Sequence, residues 1–540
     1  MRSNLAIQKL TESNSTENKG KTTKHKVDNT FTDELVVGIC YPIGSKKSDV
    51  IETIQQRLKK YGYETKVIKL SKFIEKYTTI QKEALLGKTN SYSELIFKIK
   101  GGDEIRETYN SNSILADIAI WDINLDRMKF FQSDNDSLPD DINIKSRKVC
   151  YIIDSLKNKE ELLLLRTVYR NIFYLISIFS PDKERKENLQ TKNLSISEID
   201  ELIEKDEYEN FDHGQNVRET FVEADFFLRV SIKNKVSLES RIERFFHLVF
   251  GSKIITPDSS ERAMYAAKSA ACNSACLSRQ VGAAITDIKG DVIATGWNDA
   301  PKFGGNLYSD ENQNDSRCCA KKECSNDKYK DDIIQDITKE ILKDETLRAL
   351  LSRTTEDTPK VVGVDNKVLL LNNAIKNTRV KGLIEFCRSI HAEMHAIVIG
   401  SQLSSNKMIG GKLYCTTYPC HNCARHIILA GIKEVFFIEP YKKSLGTKLH
   451  DDAITDDEEE IDKVRIIVFD GVAPRRYLEF FSMVTDERKK NGSLKSKELT
   501  SYFPKNRLSL QSLPTLEKQA ILFLTEIGLI KEYEQQSKEN

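Results

Sequence analysis

Apolar and polar positions along this chain fall into two successive series of strand-like and helix-like segments. The first opens on Leu35-Val36-Val37-Gly38-Ile39-Cys40, a short unbroken apolar run that predicts a buried strand. Val50, Ile51, Ile54 and Leu58 then recur at helical spacing, and a second strand is predicted over 64–70, after Gly62. Val149-Cys150-Tyr151-Ile152-Ile153-Asp154 predicts another buried strand, ending in a carboxylate. Residues 162–179 are strongly apolar, and 214–227 carry a late helix and strand. The second series starts with an alanine-rich helix over 258–276, with Ser259 or Ser260 as its cap. A strand over 279–287, a turn at Lys289-Gly290-Asp291 and a returning strand over 292–298 predict a hairpin. Strands over 413–417 and 465–469, a helix over 420–430 and an amphipathic C-terminal helix over 513–531 complete the pattern.

A chain of 540 residues exceeds one ordinary core, and about two to four domains are expected. Residues 1–30, rich in Ser, Thr, Asn and Lys, are expected to be a disordered tail. Residues 31–250 are expected to form an α/β domain on a parallel sheet, and 251–490 a second, α/β/α domain interrupted by an insertion at 303–390. A linker and terminal helix are expected over 491–540. The net charge of +1 gives no global case for binding a polyanion. The N-terminus, Met1-Arg2-Ser3-Asn4-Leu5, lacks the apolar stretch of a secretion signal. No run of about 18 apolar residues predicts a membrane span. The 11 cysteines are few and cluster around one motif. That favours a reducing cytoplasm and metal-bound thiolates over disulfides.

That motif is His391-Ala392-Glu393 followed by Pro419-Cys420-His421-Asn422-Cys423. One imidazole and two thiolates can supply three ligands to a tetrahedral zinc, leaving a fourth position for water. The two thiolates cancel the charge of the dication, so that water can be acidified towards neutral pH. Glu393 stands two residues from His391, close enough to shuttle a proton without ligating. Both segments are predicted to open helices, whose N-termini stabilise thiolates at Cys420 and Cys423. Pro419 fixes the entry of the chain. A lone Cys-x-x-C would equally suit a structural zinc knuckle or a redox pair. The ordered pair, H-x-E followed by P-C-x-x-C, is the mark of the zinc nucleobase deaminases, whose nucleophile attacks C4 of cytosine or C6 of adenine.

Between the first strand and helix lies Tyr41-Pro42-Ile43-Gly44-Ser45-Lys46-Lys47-Ser48. This loop resembles the Walker A loop of nucleoside and nucleotide kinases, with Lys47-Ser48 at the Lys-Ser/Thr position. The glycines that let such a backbone turn its N–H groups towards phosphate would fall at 41 and 46, where Tyr41 and Lys46 stand. The helix N-terminus still favours an anion. Asp154 matches the end of a Walker B strand, and Asp182-Lys183-Glu184-Arg185 a lid. The resemblance implies a degenerate P-loop kinase-like domain in which Gly44, Ser45, Lys46, Lys47 and Ser48 bind phosphate or nucleotide. A regulatory nucleotide site and a decayed scaffold that only positions the second half both remain open.

Several stretches of the second half resemble the deoxycytidylate deaminase family. They are 276–283 (Cys276-Leu277-Ser278-Arg279-Gln280-Val281-Gly282-Ala283), 295–301 (Thr295-Gly296-Trp297-Asn298-Asp299-Ala300-Pro301), the zinc motif, 430–441, and 471–477 (Gly471-Val472-Ala473-Pro474-Arg475-Arg476-Tyr477). By this resemblance zinc is the cofactor, Asn298 contacts the sugar, and the protein is a homo-oligomer. Fused to the degenerate kinase-like half, the architecture resembles the bacterial anti-phage dCTP deaminases. That implies conversion of dCTP, and of dCMP, to the deoxyuridine nucleotide, with an inhibitory small RNA as a possible partner. Phage-type members hold a second zinc, for which Cys276, Cys318 or Cys319, Cys324 and Cys387 are candidates; free thiols are the alternative. His395 is expected to pack rather than ligate. Lys442-Lys443 would meet substrate phosphates or form a solvated turn. A tRNA or DNA deaminase shares the zinc motif, but neutral charge and the lack of an aromatic-and-basic stripe count against it. A nucleotide kinase carrying a deaminase passenger is the remaining alternative.

Overall fold

The run Leu35–Cys40 is strand β1, buried at every position, as an inner strand of a sheet covered on both faces must be. The computed structural model describes every residue except 1–21, 82–89, 133–145, 208–213, 232–234, 348–363, 440–443, 484–488, 491–492, 495–496 and 531–540. Strands β2 (Glu64–Lys69), β3 (Val149–Asp154), β4 (Phe173–Phe179) and β5 (Phe226–Arg229) follow β1 in the same sheet. Its order is Gly471–Val472, β5, β4, β1, β3, β2. All pairings are parallel except that of Gly471–Val472 with β5. Ile39 pairs with Asp154, so β1 and β3 end side by side, where parallel sheets offer ligand crevices. Helix α1 (Lys47–Lys60) leaves from this edge and buries Val50, Ile54 and Leu58, the predicted stripe.

The chain divides into two compact units: Met1–Thr256 with Asp470–Asn540, and Pro257–Phe469. The sequence reading kept 471–477 within the second domain and broke the chain at 490. The break instead follows Phe469, because the next residues are tied into the first unit. Arg475 Nη1 and Arg476 Nε donate to the fully buried Asp225 carboxylate at 2.8 and 2.9 Å. Of the expected disordered tail, 23–28 are helical, and 1–21 lie outside the described residues. The C-terminal helix, Ser512–Glu526, is locked onto the first unit by the fully buried Glu517. That carboxylate pairs with Arg127 and accepts from the Tyr169 hydroxyl at 2.9 Å. Arg127 also pairs with Glu34 at 2.7 Å. Burial of such charges is tolerable only when they are paired.

The second unit carries strands β6 (Gly282–Thr286), β7 (Val292–Trp297), β8 (Lys412–Thr417), β9 (Glu434–Glu439), β10 (Ile454–Thr455) and β11 (Val464–Val468). Their order is β10, β11, β9, β8, β6, β7. The predicted hairpin β6–β7 is antiparallel, as is β6–β8; the rest is parallel. Helix α2 (Ser259–Ala271) is capped by Asp258, whose carboxylate accepts from Glu261 N–H at 2.8 Å in a capping box. The cap is therefore neither Ser259 nor Ser260. Helix α3 (Ala392–Met408) crosses β7 closely. A Cβ on Gly296 would stand 2.4 Å from Ala396 N and 2.5 Å from Ala392 O, so only glycine admits the helix there. Helix α4 (His421–Leu429) follows β8. Among the described residues, no helix is long and apolar enough to cross a membrane.

Candidate active site

Two helix entrances build the site. His391 is the N-cap of α3 and Cys420 the N-cap of α4. Strand β8 ends at Thr417, and Pro419 lets the chain leave the ladder for α4. His391 Nδ1 lies 3.2 Å from Cys420 Sγ and 3.3 Å from Cys423 Sγ. The three donor atoms all fall within 4.8 Å of one another. Among the described residues this is the one such group of three His, Cys, Asp or Glu side chains. Its donor set, one imidazole and two thiols with no fourth ligand among the described residues, fits an open zinc site. Glu393 is buried on the first turn of α3.

The electrostatics of the group follow from its crowding. The hydrogen bond from Cys423 holds the Cys420 thiol down, to about 4, and His391 adds to the effect against the opposing pull of burial. Burial pushes Cys423 well up. Burial opposes protonation of His391, yet its hydrogen bond with Cys420 and the charge of Glu393 raise it to about 9. Glu393 is raised by burial and by the Cys420 charge. A dication bound by these donors would displace their protons. Sequence reasoning passed over Cys415, fully buried on β8. Burial lifts its thiol well above the usual range, and the adjoining Glu393 carboxylate adds to that. Its position five residues before Cys420, on the strand that delivers the zinc turn, was the available signal.

Both amide atoms of Asn298 are engaged by backbone groups. Its Oδ1 accepts from Val281 N–H at 2.7 Å and its Nδ2 donates to Arg279 O at 3.0 Å. The side chain therefore shapes the 279–281 loop. His395, one turn beyond His391, is packed as expected: Nδ1 accepts from Trp297 N–H at 3.2 Å, and Nε2 lies 3.2 Å from Asn306 Oδ1. The cysteines proposed for a second zinc do not form a three-donor group among the described residues. Cys324 Sγ lies 3.8 Å from Ser278 Oγ, and burial raises Cys387. Lys442 and Lys443 lie outside the described residues.

At the other candidate, the loop before α1, polar groups meet one another. Lys47 Nζ pairs with Asp154 at 2.8 Å and donates to the Tyr41 hydroxyl. That hydroxyl, at the first missing-glycine position, donates to Asp154 Oδ1 at 3.1 Å. Burial lowers the Lys47 pKa against the pull of Asp154. Asp206 accepts from Ile43 N–H at 2.7 Å and from Lys157 Nζ at 2.7 Å. Arg185 Nε donates to Ile43 O at 2.9 Å, and Asn188 to Gly44 O at 2.8 Å. Gly44 has φ +87°, and a Cβ there would meet Arg185 O at 2.7 Å. Ser45 Oγ is buried without a hydrogen-bond partner. Lys46 is the N-cap of α1 without a side-chain cap bond, and Ser48 lies in its first turn.

Fold and site together set a three-donor His/Cys/Cys group at two helix entrances of the second unit. Residues 257–439 match the family described as cytidine and deoxycytidylate deaminase zinc-binding region. ComE operon protein 2 of Bacillus subtilis (strain 168) is 47% identical over 55 residues, 10% of this chain and 29% of that protein. Deoxycytidylate deaminase of Enterobacteria phage T2 is 38% identical over 55 residues, again 10% and 29%. The match thus spans under a third of the length of these relatives. The dCMP deaminase of cyanophage S-TIM5 is a structural neighbour at 18% identity and TM-score 0.21, covering 40% of this chain and all of that one.

Proposed function

We propose that the second unit hydrolyses the cytosine amine of free deoxycytidine nucleotides, dCTP and also dCMP, to give the deoxyuridine nucleotide and ammonia. The observation that carries this is the three-donor group of His391, Cys420 and Cys423 with Glu393 buried beside it. Zinc, bound by those three side chains, supplies a Lewis acid that acidifies water. Glu393 would take one proton from the attacking water to the ring nitrogen, and then carry the remaining hydroxyl proton to the departing amine as the C4 carbonyl forms and the C–N bond breaks. The fixed 279–281 loop and Asn298 hold the nucleotide sugar. The reading is supported by the family match over 257–439 and by the deoxycytidylate deaminase among the relatives.

The finer role rests on the resemblance of the whole architecture. There the first unit is a degenerate kinase-like regulator, and the enzyme drains dCTP in the cytoplasm during phage infection. A regulatory nucleotide at the 41–48 loop would have to displace the Lys47–Asp154 and Asp206–Ile43 contacts. A homo-oligomer and an inhibitory small RNA belong to the same reading. The pairing of Lys47 counts against phosphoryl transfer. The test is ammonia release from purified chain given dCTP, dCMP, dCDP, CTP or a cytosine-containing oligonucleotide. Release from dCTP and dCMP is expected; release from the oligonucleotide alone would overturn the proposal.

A further inference from the structure

We infer that Asp299 is the positioning residue that sets His391 in place; the inference rests on the zinc-site reading above. Asp299 is 1% exposed and follows Asn298 just beyond the end of β7. Its carboxylate accepts two backbone N–H groups, that of Ala275 at 2.9 Å on Oδ2 and that of the next residue, Ala300, at 2.8 Å on Oδ1. Its carbonyl accepts Ile390 N–H at 2.9 Å, in an isolated antiparallel bridge. Ile390 immediately precedes His391, the first donor and the N-cap of α3. One residue therefore joins the 274–276 segment, the exit of β7 and the segment that enters the site.

The neighbours of Asp299 brace the same junction. Ser274 Oγ donates to Asn298 O at 2.6 Å. Trp297 N–H donates to His395 Nδ1 at 3.2 Å, one turn into α3. Helix α3 is thus held at its entrance through Asp299 and one turn along through Trp297. The junction needs a carboxylate because an N–H group approaches each of its two oxygens. Asparagine would keep one acceptor and turn an NH2 towards the other N–H, donor against donor, in a place closed to water. A ligating imidazole displaced even slightly weakens its metal; groups that hydrogen-bond a ligand directly change metal affinity by about 10–100-fold, and Asp299, which acts one residue away through the Ile390 backbone, should fall at the lower end of that range.

The test uses the full chain with Asp299→Asn, and Ser274→Ala as a control that removes the bond to Asn298 O and leaves the two N–H bonds of the Asp299 carboxylate in place. Each chain is loaded with Co2+, whose visible bands report ligand geometry, and zinc affinity is measured against a chelating dye. For Asp299→Asn we expect altered bands, zinc affinity lower by about 10-fold, and a lower kcat on dCMP with KM nearly unchanged. Ser274→Ala keeps the wild-type bands. A folded Asp299→Asn chain with wild-type bands and affinity overturns the inference. Should that variant not fold, Asp299→Ser, which keeps one acceptor, is read in the same way. Loss of fold in both assigns the residue to general stability and overturns the positioning role. A wild-type chain that takes no Co2+ would instead sink the zinc reading itself.

Discussion

The 41–48 loop and the 417–423 turn are built alike: each leaves the carboxyl end of a strand and runs into a helix N-terminus. They differ in the charges that meet there. At the first, cations and carboxylates arrive together, and Lys47–Asp154 and Lys157–Asp206 satisfy each other. At the second, one imidazole and two thiols converge beside a carboxyl. Deprotonated, each of the three residues offers a lone pair, and the natural complement of the set is a cation from outside. The same local architecture therefore yields a closed junction in one unit and a ligand-seeking one in the other. The sign balance of the side chains decides which.

The sharpest way to break this contrast is Glu393→Gln. Deamination should fall by about 10²–10⁴ in kcat, while zinc per chain, measured by elemental analysis, stays at the wild-type level. Retained turnover would remove Glu393 from the chemistry. Next in size is Glu517→Ala in the first unit, where it strips a buried partner from Arg127. We expect a loss of about 3–5 kcal/mol in that unit, read by urea unfolding from the fluorescence of Trp121. A Trp297→Phe background isolates the signal, since the chain has 2 tryptophans, one in each unit. An unchanged midpoint would show that the charge cluster is not what holds the C-terminal helix.

The zinc group was legible because its chemistry is local: two short motifs, each at a helix start, carry all three donors and Glu393. The strands of both sheets were legible for a similar reason, since Leu35–Cys40 and Val149–Asp154 are apolar throughout. What escaped was non-local. The chain's return at Gly471–Val472 depends on a pairing with β5 and on Asp225, some 250 residues away, and no window of sequence carries that. The family-like run over 471–477 pointed instead to the second unit. The cap of α2 was missed by one position because three adjacent residues, Asp258, Ser259 and Ser260, can all cap; the reciprocal bonds with Glu261 favour Asp258. Tyr41 was read only as a missing glycine. Its hydroxyl, turned onto Asp154, is what converts the loop into a closed network.

A pH titration sharpens the comparison from the side of the first unit. Asp117, buried in the helix Ile114–Gln132, is held by the Ser113 hydroxyl at 3.0 Å, and burial raises it from 3.8 to about 7. The folded chain therefore binds the proton more tightly than the unfolded chain. Its contribution to stability is full below the unfolded value and is lost as pH rises through about 7. Asp117→Asn removes that loss. Relative to wild type, the variant should gain roughly 2–3 kcal/mol between pH 5 and pH 8, measured by urea unfolding at each pH. A difference that does not change with pH would mean that this carboxyl titrates normally.

The smallest expected effect bears most directly on the contrast between the two junctions. Lys47→Met keeps the length of the side chain and removes its charge, leaving the buried Asp154 with the Tyr41 hydroxyl alone. If the loop is a closed ion-paired junction, the first unit should lose about 1–2 kcal/mol. Zinc content and the response of deamination to added nucleotide should then stay at wild-type levels. If the loop is an anion site that opens, the opposite pattern follows. Stability changes little, because a weakly populated open form already tolerates the broken pair, while the nucleotide response disappears. Urea unfolding and a deamination assay with and without added nucleotide, run on the same preparation, separate the two. The closed arrangement around Lys47 favours the first outcome, and the partnerless Ser45 hydroxyl within the loop is the feature that the second would explain.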